Sequence, residues 1–181
     1  MKNSNIKHMI KTQKMMADER KEIVSNNVIY IYAKDENYNE LRQGFNKVYD
    51  KKPAVIALCN NTEGVSEAIK LANQEGFKVA IKSGGHSFEG FSSVEGGMQI
   101  NLSLMKSIEL TENNQAVVEP ACLLKEMYDY LLPKERILPA GSCGTVGVGG
   151  LALGGGYGFF ARKHGLTCDN LIEAEFVDGN G

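Results

Sequence analysis

No stretch of this 181-residue chain approaches the ~20 consecutive apolar residues of a membrane-spanning helix, so no such helix is expected within it. Charge of either sign is not in excess. The formal net charge is −2, which removes the electrostatic case for a nucleic acid or an anionic membrane surface as partner. Cysteine is sparse, and Cys59, Cys122, Cys143 and Cys168 form no C-x-x-C pair. Zinc-ribbon and thioredoxin-type chemistry therefore have no footing. The polar, lysine-rich residues 1–27 have no apolar h-region. No secretory leader is expected, and the cytoplasm is the expected compartment.

What is present is the composition of a soluble globular chain, 43% hydrophobic and 23% charged, long enough for one domain or two small ones. Residues 1–27 read as an extension and residues 28–181 as the folded part. Val28 to Tyr32 reads as a short strand, and Asn37 to Val48 as mixed and helical. After Pro53, the run Ala54 to Leu58 reads as a buried strand with Cys59 a core thiol. Asn61-Thr62-Glu63 carries helix-start chemistry. Val65, Ala68, Ile69 and Ala72 follow at helical spacing, and Gly76 ends the run. Phe77 to Ile81 alternates like a strand, which completes a βαβ unit. Met98 to Leu102, Ser107 to Leu110 and Ala116 to Glu119 read as short strands, with a turn at Asn113-Asn114. Leu123 to Leu132 reads as a helix closed by Pro133, and Asn170 to Val177 as a last strand. Asp178-Gly179-Asn180-Gly181 is a hairpin-turn signal with no return strand, so the sequence is expected to be part of a longer one.

Glycine is the outlier. Twelve of the 20 glycines fall from Gly141 onward, interleaved with apolar residues rather than serine. That pattern reads as backbone brought close to a ligand. Two segments carry the chemistry. Lys82-Ser83-Gly84-Gly85-His86-Ser87 follows a predicted strand, where α/β folds place ligands. Its unobstructed N–H groups form a nest suited to phosphate oxygens, and the His86 imidazole can act as a nucleophile on the molecule that carries the phosphate. The bland alternative is a histidine that only bonds loop backbone. Pro139 to Gly150 places Cys143 among Gly141, Gly144 and Gly147. A thiol in a field of backbone N–H groups ionises more easily, and the bland alternative there is a small residue filling a tight turn.

Gly147-Val-Gly149-Gly-Leu-Ala152 matches G-x-G-x-x-A, with Asp169 about twenty residues on. The required preceding strand is missing, and no second βαβ unit follows, so a nicotinamide site is rejected. Arg162, Lys163 and His164 could balance phosphate charge or simply be solvated. His86, Cys143 and His164 lack ligand spacing, so no metal is expected.

Ile81-Lys-Ser-Gly-Gly-His-Ser-Phe-Glu-Gly-Phe-Ser-Ser93 resembles the first flavin motif of the berberine bridge enzyme-like oxidoreductases, which belong to the vanillyl-alcohol oxidase type. Leu138-Pro-Ala-Gly-Ser-Cys-Gly-Thr-Val-Gly-Val-Gly-Gly150 resembles their second. Gly154-Gly-Gly-Tyr-Gly158, Arg162-Lys-His-Gly-Leu166 and Asp169-Asn170 continue the resemblance in order, over about Val28 to Gly181. The implied fold class is α+β: a PCMH-type FAD-binding domain of two α+β subdomains, a βαβ unit and then a mixed or antiparallel sheet. The resemblance implies bicovalent FAD, with His86 on the flavin 8α-methyl carbon and Cys143 on ring position C6. It implies that the backbone of Ser83, Gly84, Gly85, His86 and Ser87 and that of Thr145, Val146, Gly147, Gly149 and Gly150 hold the pyrophosphate. Gly154, Gly155, Gly156, Tyr157 and Gly158 would line the adenine and ribose side.

The implied reaction is oxidation of an alcohol or carbohydrate carbon by hydride transfer to flavin N5, with dioxygen or another acceptor reoxidising the flavin. Three positions depart from the usual pattern: Lys82 stands where arginine is common, His164 where tyrosine is common, and Gly144 where a proline often follows the cysteine. The family's last flavin-binding segment, its substrate domain and its catalytic base would lie beyond residue 181. A truncated remnant that binds FAD weakly is the rival expectation.

Overall fold

The fold is described by a computed structural model that covers residues 25–181. The extension expected at residues 1–27 lies outside the described residues up to residue 24.

Strand β1 (Val28–Ile31) pairs antiparallel with β2 (Val55–Cys59), in the register Val28 to Cys59 and Ile31 to Ile56. Helix α1 (Tyr38–Arg42) lies between them in sequence. Helix α2 (Thr62–Glu75) leads from β2 to β3 (Val79–Lys82), and β4 (Met98–Asn101) follows. The sheet order is β1-β2-β4-β3, with β4 parallel to both of its neighbours. The expected βαβ unit is therefore present with one strand place left open. β2 and β3 do not touch, and β4 fills the gap between them. Strand alternation alone does not reveal such an insertion, because a crossover of this length reaches a next or next-but-one place equally well.

Local chemistry explains α2. The Asn61 side chain accepts from the Gly64 N–H at 2.8 Å, and Gly76 ends the helix in the left-handed region at φ 67°. Ala68 and Ala72 are buried, and their small side chains let the helix sit close on the sheet. They pack there against Val55, Ala57 and Cys59 of β2 and Met98 and Ile100 of β4. The opposite face carries Ile56 with Tyr38 of α1. β2 and β4 are thus covered on both sides, as their near-continuous burial requires.

A second core lies beyond the sheet. Strands β5 (Ile108–Leu110) and β6 (Ala116–Val118) form an antiparallel hairpin, with Asn114 at φ 59° in its turn. Helix α3 (Leu124–Leu131) buries Leu124, Met127 and Leu131 against Cys122, Ala140 and Val148. The Glu126 carboxylate accepts from the Leu123 N–H at 2.8 Å and caps the first turn. A 3-10 turn at Leu132–Lys134 contains Pro133 and closes the helix as its sequence predicts. Helix α4 (Val148–Leu153) and the short α5 (Ala161–His164) complete the order with a 3-10 turn at Cys168–Asn170.

Two expectations need correction. The helix expected over Asn37 to Val48 stops at Arg42, because the Phe45 N–H leaves for the Gly85 carbonyl at 2.8 Å. Residues 170–177 do not form a strand. Residues 171–176 are exposed, and no described strand runs beside them, so their backbone has no ladder to join. The turn after them is present, with the Asn180 N–H on the Asp178 carboxylate at 2.9 Å. Among the described residues no helix is long and apolar enough to cross a membrane.

Candidate flavin site

The two glycine-rich segments meet backbone to backbone. β3 ends at Lys82, and the chain turns through Ser83 and Gly84 to Gly85 at φ 72°. A Cβ on Gly84 would stand 2.4 Å from the Gly147 nitrogen, and one on Gly147 would stand 2.1 Å from Ser83 Oγ. Only hydrogen fits at either position. The second segment is fixed from behind. Leu124 N–H donates to the Val146 carbonyl (2.9 Å), Lys125 N–H to Gly144 (3.0 Å), and Val148 N–H to Cys122 (2.8 Å). The Ser83 hydroxyl and the Gly149 N–H both donate to the Pro120 carbonyl, at 2.7 and 2.9 Å.

Ser83 Oγ and the Val148 and Gly149 N–H groups are therefore spent inside the fold. The Thr145 N–H turns to the Cys143 sulfur, whereas the backbone N–H groups of Gly84, Gly85, His86, Ser87, Gly147 and Gly150 have no acceptor among the described residues. They come from both segments, and the space over Gly150 is open, with nothing within 4 Å of an added Cβ. A cradle of unspent donors that side chains would fill fits a pyrophosphate.

His86 and Cys143 face the same hydroxyl. His86 Nε2 lies 2.9 Å from Thr145 Oγ1, and Cys143 Sγ lies 3.6 Å from that oxygen. Burial holds the imidazole below its ordinary range, against a weaker upward pull from the Thr145 backbone, and so favours its neutral form. The Cys143 thiol is exposed, and the Thr145 side chain pulls it below its ordinary range, helped by the Thr145 and Val146 backbone. Each shift favours the form of the group that reacts more readily with an electrophile. Cys59 is the inert contrast, a buried thiol pushed up to about 12. Cys122 is buried too, and its thiol bonds the Lys106 and Ser107 carbonyls at the start of the hairpin.

The third glycine run has a packing reason of its own. A Cβ on Gly158 would lie 1.8 Å from the Ala140 carbonyl oxygen, and one on Gly156 (φ 77°) would lie 2.2 Å from Thr167 Oγ1. That hydroxyl donates to the Pro139 carbonyl at 2.8 Å, which locks the run behind the Cys143 loop. Gly154 and Tyr157 are exposed, and Gly155 turns at φ 99°. Arg162, Lys163 and His164 are all exposed on α5. No group of three or more potential metal ligands occurs among the described residues.

Phe45 has no signal in the sequence, and the motif that contains Lys82 does not show what its amine contacts. Phe45 stacks on His86, and Lys82 donates to the Leu41 and Gln43 carbonyls at 2.5 and 2.6 Å, tying the end of α1 to the loop. Nothing in the spacing of Phe45 and His86 marks them as partners, since they lie on separate elements. Lys82 is half-buried, and burial together with the Lys47 charge pushes its amine down to about 8.

The comparisons with known proteins agree with this geometry. The family model described as an FAD binding domain matches residues 53–181. The chain is 36% identical over 164 residues to berberine bridge enzyme-like 8 of Arabidopsis thaliana, across 87% of this chain and 31% of that protein. It is 38% identical over 136 residues to the glucooligosaccharide oxidase of Sarocladium strictum, across 74% and 27%. Its fold superposes on the xylooligosaccharide oxidase of Myceliophthora thermophila, solved with xylobiose, with a TM-score of 0.75 and 27% identity, covering 90% of this chain and 33% of that one. The chain thus spans about a third of the length of the proteins it matches. It belongs to the FAD-binding domain family of the berberine bridge enzyme-like, FAD-linked oxidoreductases.

Proposed function

We propose that this chain is the FAD-holding part of an oxidoreductase that carries its flavin covalently, on His86 and on Cys143. The whole protein would oxidise an alcohol or carbohydrate carbon, with dioxygen or a comparable acceptor as the oxidant. The observation that carries the reading is the convergence of His86, Thr145 and Cys143 where the two donor-lined loops meet. The oligosaccharide oxidases among the relatives support the substrate class.

Bound FAD supplies a hydride acceptor and an electron relay to the final oxidant. The chain's own residues supply the rest. The unspent N–H groups of Gly84 to Ser87 and of Gly147 and Gly150 would take the pyrophosphate oxygens. His86 and Cys143 would each hold the flavin by one bond to a flavin carbon. Each bond would cost the protein one N–H or S–H hydrogen and the flavin one C–H hydrogen, which is two electrons and two protons. One dioxygen per bond, two for both, would take these up and leave as hydrogen peroxide.

The test is the intact mass of the denatured chain purified from cells supplied with FAD. The expected mass is that of the chain plus one FAD, less the hydrogens lost at two bonds. His86→Ala and Cys143→Ala should each leave a singly bonded flavin. An unmodified chain that still releases FAD on unfolding would overturn the covalent reading. A chain that retains no FAD at all would overturn the site.

A further inference from the structure

We infer that Thr145 is the positioning residue that prepares both nucleophiles, its single hydroxyl standing between His86 Nε2 at 2.9 Å and Cys143 Sγ at 3.6 Å. The inference rests on the covalent reading above and assigns the group that makes both attachments possible.

A threonine hydroxyl has one hydrogen to give and can accept two. It cannot donate to the imidazole and the thiol together. A neutral imidazole carries one N–H, and with that hydrogen on Nε2 it donates to Thr145 Oγ1. The hydroxyl hydrogen is then free to point at Cys143 Sγ. The resulting chain, Nε2–H to Oγ1–H to Sγ, satisfies all three groups. It fixes the imidazole tautomer, so Nδ1 keeps the lone pair that can attack. It also gives the sulfur a donor that stabilises its thiolate. The opposite arrangement, with the hydroxyl donating to a bare Nε2, leaves both nucleophiles worse prepared: Nδ1 holds the hydrogen and the sulfur loses its side-chain donor.

The surroundings make the hydroxyl matter. The Phe45 ring covers one face of His86, with centroids 4.5 Å apart, so the imidazole cannot swing to another partner on that side. The Cys143 sulfur also draws on the Thr145 and Val146 backbone, which fixes it over the same residue that carries the hydroxyl. Lys125, packed against Gly144 from the helix behind, is paired with Asp129, and the Thr145 hydroxyl is the polar side chain that both His86 and Cys143 meet. Before any bond forms, Thr145 serves both residues. Once the sulfur has bonded, the Thr145 hydroxyl keeps its hydrogen and can turn it to another acceptor.

The experiment uses the full chain and the variants Thr145→Val, which keeps the shape and removes the hydroxyl, and Thr145→Ser, which keeps the hydroxyl. Two readouts need no flavin. Nitrogen-15 shifts of His86 report the imidazole tautomer, and peptide-resolved iodoacetamide labelling across pH reports the ionisation of Cys143. The wild type should show the Nε2–H form. Thr145→Val should mix the tautomers and move the labelling midpoint upward, and Thr145→Ser should restore both. Flavin attachment, followed by intact mass after FAD is added, should slow by about 10- to 100-fold in Thr145→Val. A wild-type Nδ1–H tautomer would overturn the inference even if the valine variant failed to fold. So would a valine variant with an unchanged tautomer and labelling midpoint. A wild type that shows the Nε2–H form and the low labelling midpoint but takes up no covalent FAD would overturn the covalent reading and leave the Thr145 bridge standing.

Discussion

The Phe45 ring lies almost flat on the His86 imidazole, with centroids 4.5 Å apart and planes 17° from parallel. The two residues are also joined through backbone, since the Phe45 N–H donates to the carbonyl of Gly85, the residue before His86. Phe45 is itself 59% exposed, so it adds little to the core. What it does is shield one face of the imidazole from water.

Removing that shield should be visible in titration. Burial is the leading cause that holds His86 below its ordinary range. Phe45→Ala should let the imidazole titrate at higher pH, as followed by proton shifts of the ring. A stacked aromatic pair contributes about 0.5–1.5 kcal/mol beyond area burial, so the loss of stability should stay within about that range. Phe45→Tyr should keep both properties. An unchanged His86 titration in the alanine variant would place the source of the shift elsewhere in the loop.

The contact between Gly84 and Gly147 makes a sharper prediction about the fold. Each would drive a Cβ into the other segment's backbone, at 2.4 and 2.5 Å. Backbone cannot step aside as a flexible side chain can, so Gly84→Ala and Gly147→Ala should each cost about 1–3 kcal/mol or more and weaken FAD retention with it. Gly150→Ala is the control. It lies in α4 with open space around its Cα, and alanine should gain up to about 1 kcal/mol there from helix propensity. Urea unfolding of the three variants checks the order. Equal effects at all three positions would mean that the segments do not depend on close apposition.

Much of this was readable from local chemistry. Asn61 and Gly76 bracket α2, Asn114 turns the hairpin, and Pro133 closes α3, each for reasons that act within a few residues. The two glycine motifs were legible for the same reason, as runs whose composition has little other use. What was hidden depends on residues far apart in sequence. The insertion of β4 between β2 and β3 is decided by how the whole sheet packs. Residues 170–177 have strand composition, but a strand exists only with a neighbour. Gly156 and Gly158 are small because Thr167 and Ala140 press on them, a cause that composition cannot separate from nearness to a ligand. Phe45 had no motif to announce it.

Lys82 gives the last prediction, and its sign follows from where the proton sits. The amine donates to the carbonyls of Leu41 and Gln43, which favours the charged form, but burial and the Lys47 charge prevail and bring it down to about 8. In the unfolded chain it keeps its proton up to its ordinary value of 10.5. Between those two values the unfolded state binds the extra proton, so raising the pH through that window favours the folded state. Below pH 8 both states are protonated, and Lys82 contributes no slope. The neutral amine still has two hydrogens for the two carbonyls, so the anchor survives deprotonation. Lys82→Met should abolish this rise. It should also lower stability by about 1–3 kcal/mol by taking the ammonium donor from the two carbonyls. Urea unfolding of both proteins from pH 7 to pH 10 measures the two effects together. Curves that stay parallel across that range would show that Lys82 keeps its proton in the fold, and that its two carbonyl bonds outweigh its burial.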